Sequence, residues 1–393
     1  MITNANKTEI LTGENNAAST DAGKAAAATE TRAGGVYVHI PYCKSKCGYC
    51  AFYSRTDYSS SELYLTALKK EIDSYKTDCP FDTIYIGGGT PSSVRPGYIA
   101  EIIGHIKRRF NIAADAEITV EANPDTCSRG FLAEIAAQGV NRLSLGLQTD
   151  DGALLRFLGR RHDYARFTAC VADASQTGIT NISADLMYGL PAQSADAFLR
   201  TLAAVCALPL AHISLYPLKV EEGTPFYESG IAVDGDLQAD MYGAAVPFLR
   251  ERGFDRYEVG NFAKTGRESR HNLKYWRLAP YVGLGAAAHS YFNGERYQNP
   301  DGISEYLVSG GRVQKTKISK TESAEEYIML ALRTKEGINL DFLKSEFDCD
   351  LMNKKPAEIK SLQSRGMVEY DSGNLRLSDG AFYVMNSIIL KLL

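Results

Sequence analysis

Residues 36–50 read VYVHIPYCKSKCGYC, an apolar run followed by three cysteines. The apolar run is typical of a buried strand, and Pro41 ends it because proline has no N–H to donate within a sheet. The loop that follows carries Cys43, Cys47 and Cys50 at the carboxyl end of this strand. Because α/β folds place their chemistry at the carboxyl ends of strands, this loop is the first candidate for a functional site.

Three thiolates on one short loop suit an iron–sulfur cluster or zinc. A structural zinc site normally has four ligands, and no second Cys or His pair follows at the expected spacing. A [4Fe–4S] cluster held by three protein thiolates leaves one iron open for another ligand. From spacing alone, a zinc loop and a disulfide with a spare thiol are the alternatives. The other five cysteines stand singly, as small core residues do: Cys79, Cys127, Cys170, Cys206 and Cys349.

Charge and composition narrow the class of protein. The formal net charge is −4 over 393 residues, which gives a nucleic-acid partner no support. No apolar run reaches the roughly 18 residues that span a membrane, so we expect at most peripheral membrane contact. Unpaired cysteines are typical of a reducing compartment, here the cytoplasm. Residues 1–33 are rich in Ala, Thr, Asn and Gly and predict a disordered tail.

Strand and helix patterns alternate over residues 34–252. Six βα units at regular spacing predict parallel strands with right-handed crossovers. Such units form an α/β fold, a partial (β/α)6 TIM-like barrel with about three quarters of the eight-fold arrangement. The predicted strands are 36–40, 83–86, 116–120, 141–145, 181–186 and 212–216.

The pattern changes after the barrel. Residues 253–311 are rich in aromatics and glycine and are interpreted as a barrel extension. In residues 312–393, two predicted helices at 340–347 and 357–366 precede a hairpin with a turn at 372–374. This order predicts a small α+β winged-helix-like module. The sequence of the module has no basic stripe, so it gives no support for nucleic-acid binding.

Polar groups at the ends of predicted strands are candidates for ligand binding. The glycine-rich turn at 87–90 lets the backbone approach a ligand closely. Glu121, Gln148, Arg160 and Asp185 lie at or soon after the carboxyl ends of later strands, at the mouth of the barrel. Each alone fits a surface charge or a structural cap, but together they predict one pocket.

The cysteine spacing, with Tyr49 before the last cysteine, resembles that of the radical S-adenosylmethionine (SAM) superfamily. The resemblance implies that Cys43, Cys47 and Cys50 ligate a [4Fe–4S] cluster whose open iron binds the amino and carboxylate groups of SAM. An electron from the cluster then cleaves SAM to methionine and a 5′-deoxyadenosyl radical. The family core is a (β/α)6 barrel, in agreement with the strand pattern.

From about residue 35 the chain resembles the HemN/HemW group of this superfamily. The likeness is carried by residues 37–41 (YVHIP), 87–92 (GGGTPS), 121–124 (EANP), 142–148 (RLSLGLQ), 158–162 (LGRRH) and 185–191 (DLMYGLP). It implies a set of cofactor contacts at the barrel mouth, in which the neighbouring Arg161 is an alternative to Arg160. The implied set is Gly88, Gly89, Thr90, Glu121, Gln148, Arg160 and Asp185, with Tyr37 near the cluster and Tyr49 against the adenine.

Two features separate the branches of this group. The oxygen-independent coproporphyrinogen III oxidases have a further cysteine two residues after the last cluster cysteine, where this chain has Phe52. They also have a longer segment before the first strand, which here starts near residue 36. Both departures point away from the oxidase. Residues 271–276, HNLKYW, resemble the His-Asn-x-x-Tyr-Trp motif of the haem-chaperone branch.

The resemblance therefore implies a haem chaperone, without oxidase activity, that binds haem through the region after the barrel. An imidazole is a common haem-iron ligand, so His271 is the first candidate and His289 the second. From the residues alone, His271 also fits a buried hydrogen-bonding histidine, and His39 a support for the cluster loop. The implied partners are haem-accepting respiratory proteins, bacterioferritin-type haem donors, a flavodoxin or ferredoxin reductant and a second copy in a homodimer. The alternatives are the oxidase, which decarboxylates propionates with the deoxyadenosyl radical, and a radical SAM enzyme with another substrate.

Overall fold

Six parallel strands form the centre of the fold in the computed structural model, which describes residues 32–311 and 314–393. Each strand pairs in parallel with the next one along the chain, as the βα pattern predicts. The predicted tail, residues 1–33, lies outside the described residues apart from its last two. The strands are β1 (Gly34–Ile40), β2 (Pro80–Gly88), β3 (Asn111–Ala122), β4 (Arg142–Gln148), β5 (Asn181–Tyr188) and β6 (His212–Pro217).

Helices connect these strands, and most begin at a side-chain cap. The oxygens of Ser128, Asp151, Asp163, Ser194 and Asp234 each accept a backbone N–H of the first helical turn. The apolar faces of the helices pack on the strands. The strand β4 is buried along its whole length because both of its faces are covered. The helices are α1 (Ser61–Ser74), α2 (Tyr98–Arg109), α3 (Arg129–Ala137), α4 (Gly152–Phe157), α5 (Tyr164–Gln176), α6 (Ala195–Cys206), α7 (Pro225–Glu228) and α8 (Gly235–Arg250).

The barrel is open, as the partial form predicts. Within the described ranges, β1 pairs with β2 and with a later strand, and β6 pairs with β5 and with another later strand, so β1 and β6 do not meet. Residues after 252 thus extend the sheet at both edges to twelve strands. They form β7 (Asp255–Glu258), β8 (Asn261–Ala263), α9 (Arg270–Trp276), β9 (Tyr281–Leu284), β10 (His289–Phe292), β11 (Glu295–Gln298), α10 (Ile303–Ser309) and β12 (Gln314–Lys317).

The carboxyl-terminal part is an α+β module with an apolar cluster of its own. The predicted hairpin is confirmed, and its turn has positive φ at Ser372 (51°) and Gly373 (88°), as a tight two-residue connection requires. Its three-stranded sheet has the order β13, β15, β14. The elements are α11 (Lys320–Ala331), β13 (Ile338–Asn339), α12 (Leu340–Phe347), α13 (Leu351–Lys354), α14 (Pro356–Ser364), β14 (Val368–Asp371), β15 (Asn374–Leu377) and α15 (Met385–Leu392).

The predicted fold class is therefore confirmed: an open α/β barrel followed by a small winged-helix-like module. None of the helices in the described parts of the chain is both long enough and apolar enough to cross a membrane.

Candidate functional site

A cavity of about 570 Å³ opens at the carboxyl ends of the parallel strands. The carboxyl-terminal halves of β2 to β6 and the segments that follow β1, β2, β3, β4 and β6 contribute to its wall, because the carboxyl ends of parallel strands meet at one edge of the sheet. The predicted site residues that line it are Cys43, Cys47, Tyr49, Cys50, Gly88, Gly89, Thr90, Glu121, Gln148, Arg160 and Asp185.

The cysteine loop is fixed at its start by the chain that follows it. The backbone N–H of Cys43 donates to the carbonyl of Arg55 at 2.9 Å. Burial raises the pKa of the Cys43 and Cys50 thiols, so both stay protonated until a cationic centre displaces the protons. All eight cysteines lie in the described ranges, and none of them is joined in a disulfide there.

The donor set fits a cluster better than a single ion. In the described parts of the chain, no three Cys, His, Asp or Glu side chains are grouped closely enough to hold one metal ion. The three loop cysteines nevertheless border one cavity with room for a larger group. Soft thiolate ligands around such a space are the chemistry that an iron–sulfur cluster requires.

Side chains from the turn after β2 and the segment after α4 donate hydrogen bonds to two of the sulfurs. The Thr90 hydroxyl lies 3.4 Å from Cys43 Sγ, and Arg160 Nη1 lies 3.7 Å from Cys47 Sγ. Asn123 connects these two donors, since its Nδ2 donates to Thr90 Oγ1 at 3.1 Å and its Oδ1 accepts from Arg160 Nη2 at 2.7 Å. Donors of this kind tune the charge on the sulfurs of a metal centre.

Arg160, rather than its neighbour, reaches the cavity. Arg161 is exposed and is absent from the cavity wall. The Arg160 guanidinium also donates to the carbonyl of Gly146 at 2.5 Å, which ties it to the end of β4. The structure thus places the first of the two predicted arginines beside the cysteine loop.

Two carboxylates face the cavity from adjacent parts of the wall. Glu121 Oε1 accepts from the Tyr85 hydroxyl at 2.6 Å, and Oε2 accepts from the Gly88 N–H at 3.2 Å. Asp185 accepts from the Ser144 hydroxyl at 3.0 Å. Burial raises the pKa of Glu121 to about 7 and also raises the pKa of Asp185. Enclosed carboxylates of this kind are stabilised by donor or cationic groups of a ligand.

Gln148 is held in a strained backbone conformation. Its φ is 75°, in the left-handed region that residues other than glycine rarely occupy. The strain coincides with a register shift between β4 and β5 at Gly146 and Gln148. A bulge re-aims the side chain that follows it, and here the side chain reaches the cavity.

The glycine-rich turn after β2 is bonded to the chain that leads into the cysteine loop. The N–H of Gly89 donates to the carbonyl of Ile40 at 2.8 Å, and the N–H of Thr90 donates to that of Tyr42 at 2.7 Å. A β-carbon on Gly89 would lie 2.7 Å from the Tyr42 carbonyl oxygen. Only glycine permits this approach between two backbones.

We expect the substitution Gly89→Ala to lower the free energy of unfolding by about 2 kcal/mol, because the added methyl must push two backbone segments apart. Urea denaturation of the cluster-free protein measures the change. Gly235→Ala is the matched control: a β-carbon there meets nothing within 4 Å. Equal stability of the two variants would contradict the close approach at Gly89.

Tyr37 is not brought to the cavity wall. Its hydroxyl bonds to His39 Nδ1 at 3.1 Å, and its ring packs 6.2 Å from that of Tyr85. His39 Nε2 in turn bonds to the carbonyl of Tyr53 at 3.0 Å, just after the cysteine loop. The Tyr37 side chain thus lies one layer behind the cavity, inside the barrel.

His271 lies deep in the barrel, at the opposite end from the cysteines. Its side chain is 0% exposed, and both ring nitrogens have partners at 2.8 Å, the hydroxyls of Thr83 and Tyr275. Burial lowers the pKa of His271 to about 3. His289, in contrast, is exposed on β10. Trp276, from the same helix as His271, lines a separate cavity of about 240 Å³ beside the carboxyl-terminal module.

The sequence did not predict the roles of two residues at the site, Asn123 and Tyr85. Asn123 lies in the EANP segment, but nothing in that segment shows which side chains it bridges. Tyr85 lies inside the apolar run of β2, where its ring fits an ordinary core residue.

Comparison with known proteins agrees with this geometry. Residues 37–205 match the family model described as the radical SAM superfamily, and residues 318–384 match the HemN C-terminal domain. The "Heme chaperone HemW" of Lactococcus lactis is 32% identical over 366 residues, which cover 91% of this chain and 96% of that protein. The "Radical S-adenosyl methionine domain-containing protein 1, mitochondrial" of Bos taurus is 34% identical over 384 residues, covering 91% and 87%.

A solved structure shares the fold. The structure described as "Coproporphyrinogen III oxidase (HemN) from Escherichia coli is a Radical SAM enzyme" aligns with a TM-score of 0.81 at 21% identity, over 92% of this chain and 90% of that one. Such identity shows the fold alone. The identity of 31–32% to relatives named as HemW over 91% of the chain shows that it belongs to the HemW family of the radical SAM superfamily.

Proposed function

We propose that this protein is a haem chaperone that carries a [4Fe–4S] cluster with SAM on its open iron and delivers haem to haem-dependent respiratory proteins. The observation that carries the proposal is Phe52. Its side chain is 71% exposed and borders the cavity, at the position where the resembling oxidases have a further cysteine. The bacterial relatives, both named as haem chaperones, support the same assignment.

The cavity residues fit the two implied cofactors. Cys43, Cys47 and Cys50 would hold the cluster, with Thr90 and Arg160 as donors to the sulfurs. When bound, the cluster and SAM would supply the one-electron chemistry.

The SAM contacts belong to the same proposal. Glu121, Gln148, Arg160 and Asp185 would hold the polar groups of SAM, and the glycine-rich turn at 87–90 would lie against its methionyl part. Tyr49 has an apolar ring at the cavity wall, suited to an adenine face.

We propose that one of the two histidines after the barrel, His271 or His289, ligates the haem iron. His271 ligates iron only after it leaves the hydroxyls of Thr83 and Tyr275. His289 is exposed and needs no such rearrangement. Haem binding by variants of each histidine therefore shows which one ligates the iron: the accessible His289, or His271 after a conformational change.

The cellular setting follows from the same assignment. We propose a cytoplasmic protein that meets its respiratory recipients peripherally, takes haem from bacterioferritin-type donors and receives electrons from a flavodoxin or ferredoxin. We propose that the protein forms a homodimer and does not bind nucleic acid.

The test uses one anaerobic preparation with a reconstituted cluster. Haem is titrated while the Soret band is followed, and a second sample receives coproporphyrinogen III, SAM and a reductant. We expect saturable haem binding and no decarboxylation. Decarboxylation without haem binding would replace the chaperone by the oxidase, and the absence of both would leave a radical SAM enzyme with another substrate.

Phe52→Cys refines this test, since it restores the cysteine of the oxidase pattern. The side chain is exposed, so the substitution leaves the fold intact. We expect no decarboxylation and unchanged haem binding in this variant, because one thiol does not supply the rest of a substrate site. Turnover of coproporphyrinogen III by Phe52→Cys would show that this position alone separates the two branches.

A further inference from the structure

We infer that Tyr85 is a positioning residue of the proposed SAM site: its hydroxyl fixes the Glu121 carboxylate toward the cavity, and the ring of His271 fixes Tyr85 from behind. This inference rests on the proposed function, because it presupposes that SAM occupies the cavity. It gives the buried histidine of the HNLKYW segment a task other than iron ligation.

Each oxygen of the Glu121 carboxylate has one donor from β2. The Tyr85 hydroxyl reaches Oε1 at 2.6 Å and the Gly88 N–H reaches Oε2 at 3.2 Å. A β-carbon on Gly87 would lie 2.7 Å from the same carboxylate, so glycine at this position is what lets Glu121 lie against the strand. Two donors at fixed positions hold the plane of the carboxylate and leave its remaining lone pairs toward the cavity.

The ring of Tyr85 is itself packed between two other rings. The His271 ring stacks on it with centroids 5.2 Å apart and an angle of 30°, and the Tyr37 ring packs 6.2 Å away. Thr83 and Tyr275 bond both nitrogens of His271, so the imidazole has no freedom to rotate. His271, Tyr85 and Glu121 thus form a column from the base of the barrel to the cavity.

The charges around Glu121 make its protonation sensitive to Tyr85. The pKa of Glu121 is about 7: burial and the charge of Asp185 on β5 raise it, whereas the hydrogen bonds from Tyr85 and Gly88 and the charge of Arg142 on β4 lower it. The other groups nearby are phenols: Tyr37 on β1, Tyr216 on β6 and Tyr275 on α9. Burial raises the pKa of Tyr37 and Tyr275 above the ordinary range of a phenol, so both stay neutral, whereas the Tyr216 ring is partly exposed to solvent.

We expect loss of the Tyr85 hydroxyl to raise the pKa of Glu121. Removal of the Tyr85 hydroxyl takes away a hydrogen bond to the charged form of Glu121, and its pKa rises. More Glu121 is then neutral at pH 7, and a neutral carboxyl is a weaker acceptor for SAM. The loss of affinity disappears at a pH well above both pKa values, because the carboxylate is then ionised with or without Tyr85.

The first measurement needs no cofactor. Difference infrared spectra of the apoprotein follow the carboxylic acid band of Glu121 with pH, and Glu121→Gln assigns that band. In Tyr85→Phe we expect the midpoint to move upward by about 1 pH unit. Tyr257→Phe is the matched control, a buried phenol bonded to His212 at 2.8 Å and away from the cavity. An unmoved midpoint in Tyr85→Phe overturns the inference.

The second measurement is the Kd of SAM in the cluster-reconstituted protein. We expect Tyr85→Phe to weaken binding about fivefold at pH 7 and less than about twofold at pH 9. A deficit that is equal at both pH values is a packing effect and overturns the role assigned to Tyr85. If the wild type binds no SAM, the proposed function fails together with this inference, and the infrared result still reports separately on the pair Tyr85 and Glu121.

Discussion

Substitution of Cys43 by serine should abolish the bound cluster. A serine hydroxyl is a hard and weakly acidic ligand, so the site keeps two thiolates where three are needed. Iron and acid-labile sulfide, measured after anaerobic reconstitution, should fall to the background of the unreconstituted protein. The same loss is expected for the corresponding serine variants of Cys47 and Cys50, because each of the three borders the cavity.

The control for this result is Cys206→Ser. Cys206 is a half-buried thiol at the end of α6 and takes no part in the cavity wall. Its variant should bind as much iron as the wild type. Urea denaturation of the apoprotein should give Cys43→Ser a stability within about 0.5 kcal/mol of the wild type, because a half-buried thiol becomes an isosteric hydroxyl. Retention of iron by Cys43→Ser would refute the three-cysteine ligand set.

The second large effect is expected at His271. Alanine at this position removes a fully buried ring and leaves the hydroxyls of Thr83 and Tyr275 without their partner. A cavity beside Tyr85 and two lost hydrogen bonds together should lower the free energy of unfolding by about 3 kcal/mol. Urea denaturation of the haem-free protein measures this difference. The exposed His289, replaced by alanine, should change stability by less than about 0.5 kcal/mol.

The pH dependence of stability gives the same prediction a second test. Burial lowers the pKa of His271 to about 3, so the folded protein keeps this imidazole neutral. Between that value and about 6.5 the unfolded chain binds a proton that the folded protein does not, and stability falls as the pH falls through this window. His39 and His212 act with the same sign, since burial lowers their pKa values too. His271→Ala should have a shallower slope than the wild type below pH 6.5.

Haem binding distinguishes the two histidines independently of stability. If His271→Ala remained as stable as the wild type but lost the Soret shift of bound haem, its ring would be an accessible iron ligand and the buried arrangement would be wrong. The reverse pattern, lower stability with an unchanged Soret maximum, agrees with a structural imidazole.

The barrel was predictable because its signals are long and repeated. The strand that leads into the cysteine loop ends at a proline, and most of the later units have a buried run followed by a capped helix. The position of Glu121, Gln148 and Asp185 at the mouth followed from topology, because each lies at or just after the end of a predicted parallel strand. Arg160 and the cofactor contacts assigned to this set came from the family resemblance.

The sequence predicted less after residue 252 for a physical reason. The added strands β7 to β12 are three or four residues long, too short for an alternating pattern to stand out. The two that join the barrel, β8 and β9, pair with β6 and β1, which lie far away along the chain. The burial of His271 could not be predicted from the sequence for a related reason. A seven-residue helix shows no clear face, and only the packing against β2 reveals which of its side chains points into the barrel.

The position of β1 in the sheet has a consequence for how the protein matures. This strand leads into the cysteine loop, yet Gly35 pairs with Tyr281 of β9 on one side and with Thr83 of β2 on the other. During synthesis the pairing with β2 forms early, whereas the pairing with β9 must wait until most of the chain has left the ribosome. Such distant pairings are slow to form. Assembly of the metal centre on a rigid loop is therefore expected to be a late, post-translational event, with the nascent cysteines accessible to oxidants or to carrier proteins until then.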